Sequence, residues 1–245
     1  MNTAPSALPG TAPYHKARYN LALKLEECGA FLTSGSKHPL VVERRGHNET
    51  ERGFMLKLHE KNPNAPLSPF YLNLRTADNK DGPLTSEIVN LAATCMHMLT
   101  IRDGPAFDAV AGVPRAGEPF AEALARFTGK PCIALEKYEH GDKRKIAQIK
   151  GKIPAHVNQV LLVDDLITGA DSKREAIEVL RGEELDVVDV VVLVDREQGG
   201  RNELEMMKCP LHSVFTINEL LDFYSDAGKI SDQLYVDIRA YLAHA

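Results

Sequence analysis

Between Gln159 and Ser172 the chain reads QVLLVDDLITGADS, and this stretch limits what it can fold into more than any other. Val160 to Val163 is an apolar, β-branched run short enough for a buried strand, and it ends in two adjacent carboxylates, Asp164 and Asp165. A short turn with Thr168 and Gly169 follows. Ser172, with Glu175 three residues on, has the spacing of a capping box and predicts a helix starting there. Strand, acidic pair, turn and helix N-terminus in that order place free backbone N–H groups and a positive dipole end beside two carboxylates. A phosphate suits the first feature and a vicinal diol such as ribose suits the second. The plainer alternative is a helix cap with no ligand.

The surrounding sequence alternates between the two periodicities. Ala17, Leu21, Leu25 and Cys28 form one helical face stopped by Gly29, and Thr33 to Arg52 reads as a solvated polar loop. Strands are expected at Phe54 to Leu58 and Ser68 to Leu74. A helix is expected from Ser86 through Leu99, then a strand at Ala106 to Val113 leading into Pro114-Arg115-Ala116-Gly117. A further helix places Phe120, Leu124 and Phe127 inward and ends at Gly129, before a strand at Pro131 to Leu135. Strand–helix–strand units of this kind imply parallel pairing and a right-handed crossover. Glu136 to Lys152 holds Lys137, Lys143, Arg144, Lys145, Lys150 and Lys152 with little apolar content, and reads as a mobile lid or merely a solvated loop. Beyond the central motif come Ala176, Ile177 and Leu180 on a helix face and a β-branched strand at Val187 to Val194. A short strand at Leu211 to Phe215 and a helix at Ser231 to Leu242 close the chain. The pattern argues for an α/β, doubly wound parallel sheet with its ligand at the carboxyl ends of the strands.

A chain of 245 residues suits one such domain with an appendage. A formal net charge of −5 gives no reason to expect nucleic acid or an anionic membrane as partner. The opening MNTAPSALPGTAP lacks the basic and apolar regions of a secretory signal and is expected to be a flexible tail over residues 1–16. Cys28, Cys95, Cys132 and Cys209 show no metal-ligand spacing, so buried reduced thiols and a cytoplasmic protein are expected.

VLLVDDLITGADS resembles the signature of type I phosphoribosyltransferases, which bind 5-phosphoribosyl-1-pyrophosphate (PRPP). Four further stretches are similar to the orotate branch of that family: LSPFYLNLR, GVPRAGEPFAEALA, the basic loop after Leu135, and LVDREQGGRNELE with PLHSVFTINELL. The resemblance implies a single domain over residues 17–245, with an N-terminal hood (17–84) and a PRPP-binding core with C-terminal helices (85–245). It implies transfer of a phosphoribosyl group from Mg²⁺-PRPP to orotate, in a homodimer whose lysine loop closes over the partner's site. By resemblance, Asp164 and Asp165 hold the ribose hydroxyls, directly or through Mg²⁺. Thr168, Gly169, Ala170, Asp171 and Ser172 cradle the 5-phosphate, and Arg115 and Ala116 meet the pyrophosphate. Lys137 and His140 belong to the catalytic loop, with Lys143 also on PRPP. Lys57, or Lys61 in a shifted register, is the hood lysine. Tyr71, Leu72 and Thr168 flank the orotate ring, and Arg196 meets its carboxylate. The chain departs from the pattern at Gly169, Ala170 and Asp171 of the phosphate loop, and at Glu136 and Tyr138 of the lysine loop. An Asp171 carboxylate about 5 Å from a phosphate charge would repel it by roughly 1–3 kcal/mol. These departures keep open a PRPP-binding module without efficient catalysis, or a relative that takes a different base.

Overall fold

The computed structural model describes residues 12–45, 50–56, 58–79, 81–140 and 143–243. The N-terminal part runs α1 (Ala12–Glu27), β1 (Phe31–Thr33), β2 (Val41–Arg45), β3 (Thr50–Phe54), α2 (Leu58–Lys61) and β4 (Phe70–Leu72). The core then runs α3 (Ser86–Asp103), β5 (Ala109–Gly112), α4 (Glu118–Thr128), β6 (Cys132–His140), β7 (Lys143–Lys150), β8 (Gln159–Ile167) and α5 (Asp171–Gly182). It closes with β9 (Asp186–Asp195), α6 (Gly200–Met206), β10 (Leu211–Thr216), α7 (Ile217–Asp226) and α8 (Asp232–Ala243). No helix among the described residues is long and apolar enough to cross a membrane.

Six strands form one sheet in the order β10-β9-β8-β5-β6-β7, parallel throughout except for β7, which returns antiparallel on β6. Alternate residues of the central strands serve opposite faces. Leu161, Val163, Val191 and Leu193 pack with α3, α4 and α7, whereas Val160, Leu162, Val190 and Val192 pack with α5 and Leu204 of α6. That is why these strands read as continuous apolar runs and not as alternations. The chain steps outward from β5 to β6 on one side, then resumes at β8 on the other side of β5. Such a reversal opens a crevice at the carboxyl ends of β5 and β8, where ligands bind in open α/β sheets.

Several elements differ from the sequence expectation, each for a visible reason. α1 begins at Ala12, inside the expected tail, because Tyr14 is buried against the core. The expected polar loop from Thr33 to Arg52 contains strand β2 and the start of β3, which pair as a hairpin; the paired strand ends at Phe54 instead of starting there. Arg44 and Glu51 clasp across it at 2.6 Å, and a glutamate–arginine pair of this kind is invisible to hydropathy. Phe127 is 48% exposed, one position off the buried face that Phe120 and Leu124 define. Cys132 is exposed and Cys28 half-buried, while Cys95 and Cys209 are buried. The short helices α6 and α7 were not expected; α7 carries a capping box between Thr216 and Glu219.

Candidate active site

Strand β8 continues through the acidic pair to Ile167, so Asp164 and Asp165 sit on the strand itself and not after it. The helix start also differs from expectation. α5 begins at Asp171 behind Ala170, and no side chain caps it. Glu175 does not reach back to Ser172; its carboxylate accepts the backbone N–H of Ile146 in β7 at 3.0 Å. The first-turn N–H groups of α5 therefore carry no side-chain cap, the condition for anion binding at a helix N-terminus. Asp171 points away, with its side chain 94% exposed and Arg174 at 3.7 Å.

Two glycines bring the neighbouring loops against this motif. A Cβ on Gly117 would lie 2.4 Å from the carbonyl oxygen of Val163 and 2.9 Å from Cα of Asp164, so only glycine lets the loop after β5 approach β8 this closely. The peptide between Pro114 and Arg115 in that loop is cis. Gly200 makes a second close approach, where a Cβ would meet Ile167 and the carbonyl of Thr168. Its N–H donates to Thr168 O at 2.9 Å, and Arg196 N–H donates to Ile167 O at 2.9 Å. The DREQGG segment is thereby stitched along the turn that follows the acidic pair.

A cavity of about 430 Å³ opens where these loops meet β4. It brings together Tyr71, Leu72, Ala116, Lys137, both aspartates, Ser172 and Arg196, all expected at a site from the sequence. Arg115 lines an adjoining cavity beside Arg75 and Ala116. Thr168, Gly169 and Ala170 form the turn next to the main cavity and Asp171 opens α5, none of them lining it. Lys57 lies outside the described residues, as do the side chains of His140, Lys143 and Lys61. Leu56, Phe70, Asn73, Arg75 and Lys173 also line the cavity. Of these, Lys173 was legible only as a basic residue early in a helix; its inward direction depends on where the helix starts.

The electrostatics of the cavity are uneven. Asp164 and Lys173 are each 3% exposed and form an ion pair at 2.5 Å. Asp165 stands at the cavity wall, and its carboxyl is held well above the ordinary carboxylate range, first by burial and then by the charge of Asp164. Arg196 lies over the Phe70 ring at 5.2 Å, its Nε buried without a partner, and burial lowers its pKa. Phe70 in turn meets Tyr241 of α8 edge-on at 6.4 Å, and Tyr71 stacks on Phe54 at 5.6 Å. Aromatic faces, the guanidinium residues Arg75 and Arg196 and the two aspartates therefore converge on a space of the size of a small-molecule site.

The lysine-rich segment is not a free lid. Ala134 to His140 of β6 pair antiparallel with Lys143 to Lys150 of β7, with a register shift between Glu136 and Lys137. Ile146 is fully buried among core residues, and Tyr138, Gln148 and Glu136 bond across the strands. Ile146 and Ile149 are three residues apart, so the register shift hides the alternation of a strand, and they gave too weak a signal amid six cations. Lys137 lines the cavity of its own chain, so its place there needs no partner subunit.

The family model for the phosphoribosyl transferase domain matches residues 86–223. The chain is 34% identical over 179 residues to an orotate phosphoribosyltransferase of Sulfurisphaera tokodaii, covering 72% of this chain and 85% of that one. Among solved structures, it is similar to UMP synthase of Leishmania donovani (TM-score 0.68, 28% identity, 94% of this chain and 43% of that one). It is also similar to orotate phosphoribosyltransferase of Aeropyrum pernix (TM-score 0.61, 26% identity, 86% and 99%). With the uncapped helix, the acidic pair and the glycine-tightened loops around one cavity, these matches settle the kinship, and the chain belongs to the orotate phosphoribosyltransferase family.

Proposed function

We propose that this protein transfers the 5-phosphoribosyl group of PRPP to orotate, giving orotidine 5′-monophosphate and pyrophosphate, a step of pyrimidine nucleotide biosynthesis. The observation that carries the reading is the single cavity in which Asp165, Lys137 and Arg196 meet beside an uncapped helix N-terminus. The 5-phosphate sits at Thr168 to Ser172, on the N–H groups of α5. Asp165 accepts from the ribose hydroxyls. Arg115, Ala116 and Lys137 face the pyrophosphate, and Lys57, His140 and Lys143 keep their expected places by resemblance. Tyr71, Leu72 and Thr168 flank the orotate ring, and Arg196, whose buried Nε has no partner among the described residues, meets the orotate carboxylate.

Displacement at the anomeric carbon passes through a cationic, oxocarbenium-like state as pyrophosphate departs. The chain's part is positioning and charge: cations on the leaving group, acceptors around the ribose, and aromatic walls that orient the base. The family implies Mg²⁺ with PRPP. The acidic pair does not fit it as a ready-made metal site, because Asp164 is already held by Lys173 and no cluster of three His, Cys, Asp or Glu stands together among the described residues. Mg²⁺ is then left to the oxygens of the substrate.

We also propose a homodimer in the cytoplasm, on the strength of the resemblance and of thiols expected to stay reduced. Loss of orotate absorbance with PRPP and Mg²⁺ tests the reaction, and light scattering tests the dimer. No orotate loss, with PRPP still bound, would reduce the protein to a PRPP-binding module.

A further inference from the structure

The acidic pair is not symmetric. Oδ2 of Asp164 accepts from Lys173 Nζ at 2.5 Å, and Oδ1 accepts the N–H of Asp165 at 2.9 Å. Both carboxylate oxygens of Asp164 are therefore engaged within the protein. Lys173 also donates to the carbonyl of Leu166 at 2.5 Å, which ties its ammonium to β8 at two points. Asp165 differs: both residues line the cavity, but Asp165 is half-buried where Asp164 is 3% exposed, and one of its oxygens accepts the N–H of Leu166 at 2.7 Å.

The position of Lys173 is unfavourable on two local counts. Lysine is rarely fully buried, and a cation in the first turn of a helix opposes the helix dipole. Helix stability alone would not select it there. What it does accomplish is to neutralise one of two adjacent buried carboxylates inside a cavity that must also receive an anionic ligand.

Resting on the phosphoribosyl-transfer reading, we propose that Lys173 is a positioning residue. Its ammonium is a resident counter-cation that locks Asp164, leaves Asp165 as the carboxylate of the pair that faces the ribose, and occupies the place where a divalent cation would otherwise bridge the two aspartates. The free protein then has no divalent-cation site at the pair, and removing the lysine creates one.

The test uses the full chain as wild type, Lys173→Arg, Lys173→Met and Asp164→Asn/Lys173→Met. Titration with Mn²⁺ alone should show no saturable site in wild type or Lys173→Arg, a new site in Lys173→Met, and its loss in the double variant. The KM for PRPP should rise roughly tenfold in Lys173→Met, the scale of one misplaced charged hydrogen bond, with kcat changed less and Lys173→Arg restoring most of it. If Lys173→Met fails to fold, the double variant, which removes both partners of the ion pair, should fold and still show the raised KM. Saturable Mn²⁺ binding in wild type that the double variant loses, or a double variant with wild-type KM for PRPP, would overturn the assignment. Failure of wild type to bind PRPP would sink the transfer reading alone, since the Mn²⁺ titrations still report on the ion pair.

Discussion

Asp171 and Asp165 are both acidic residues near the expected phosphate and ribose positions, yet their environments give them opposite weights. Asp171 is one of the phosphate-loop residues at which the chain departs from the family pattern, but its side chain is turned to solvent beside Arg174. Screening at such an exposed position removes most of its field at the loop. Asp171→Gly should therefore leave PRPP affinity within about twofold of wild type, as isothermal calorimetry would show; a large gain would mean that the carboxylate turns inward in solution. Asp165 is the costly one. Because its folded pKa is raised, first by burial and then by Asp164, the folded protein binds a proton more readily than the unfolded chain. Its contribution to stability is then greatest in acid and falls as pH rises through the window between the ordinary carboxylate range and the raised value. Asp165→Asn should melt a few degrees above wild type at neutral pH, with the gap closing as pH drops toward about 4, while the KM for PRPP rises. Equal melting curves at pH 7 would argue against a strained carboxylate.

At the scale of elements, the β6–β7 hairpin and α5 depend on each other. The Glu175 carboxylate accepts the Ile146 N–H across from the strand, and Ile146 is itself buried under α5. The element expected to be a lid is thus a sheet edge clamped by the helix that carries the phosphate loop. Glu175→Ala leaves a half-buried N–H without its acceptor, at a cost of about 1–3 kcal/mol. Hydrogen exchange should quicken through Lys145 to Lys150 and much less in β9. In wild type the amides of Leu135 and Ile146 should exchange slowly even without ligand. Fast exchange there would restore the mobile-lid expectation.

Across the whole molecule, the N-terminal helix is bound into the core by a buried arginine, a tyrosine hydrogen bond and an apolar face. Arg18 is 2% exposed, pairs with Glu219 at 2.7 Å and lies over the Phe215 ring at 5.0 Å. Glu219 is also half of the capping box of α7, and Tyr224 of that helix donates to Ala22 O at 3.0 Å. One hydrophobic cluster runs from Tyr14 of α1 to Ile238 of α8. We propose that hood and core unfold as one unit. Arg18→Met should lower stability by roughly 2–3 kcal/mol, below the full cost of breaking a buried pair because Glu219 keeps some solvent. Near- and far-ultraviolet dichroism should still melt together. Two separated transitions would show that α1 and the hood fold apart from the sheet.

The sequence by itself determined the elements whose signals are local. Val160 to Val163, Val187 to Val194 and the Phe120–Leu124 face are apolar runs or periodicities that need no partner to be read, and two-faced burial followed from their continuity. The motif at Asp164 pointed to the crevice for the same reason, since a turn and a helix start leave marks within a few residues. Tertiary structure alone decided which way polar side chains point. Glu175 left the predicted capping box for a strand residue 29 positions upstream, as sheet edges must pair their N–H groups wherever an acceptor arrives. Lys173 turned inward because α5 starts at Asp171, which sets its angle toward Asp164. Asp171 turned outward by the same rotation. A charge's worth depends on what it faces, and that is settled only when the helix is docked on the sheet.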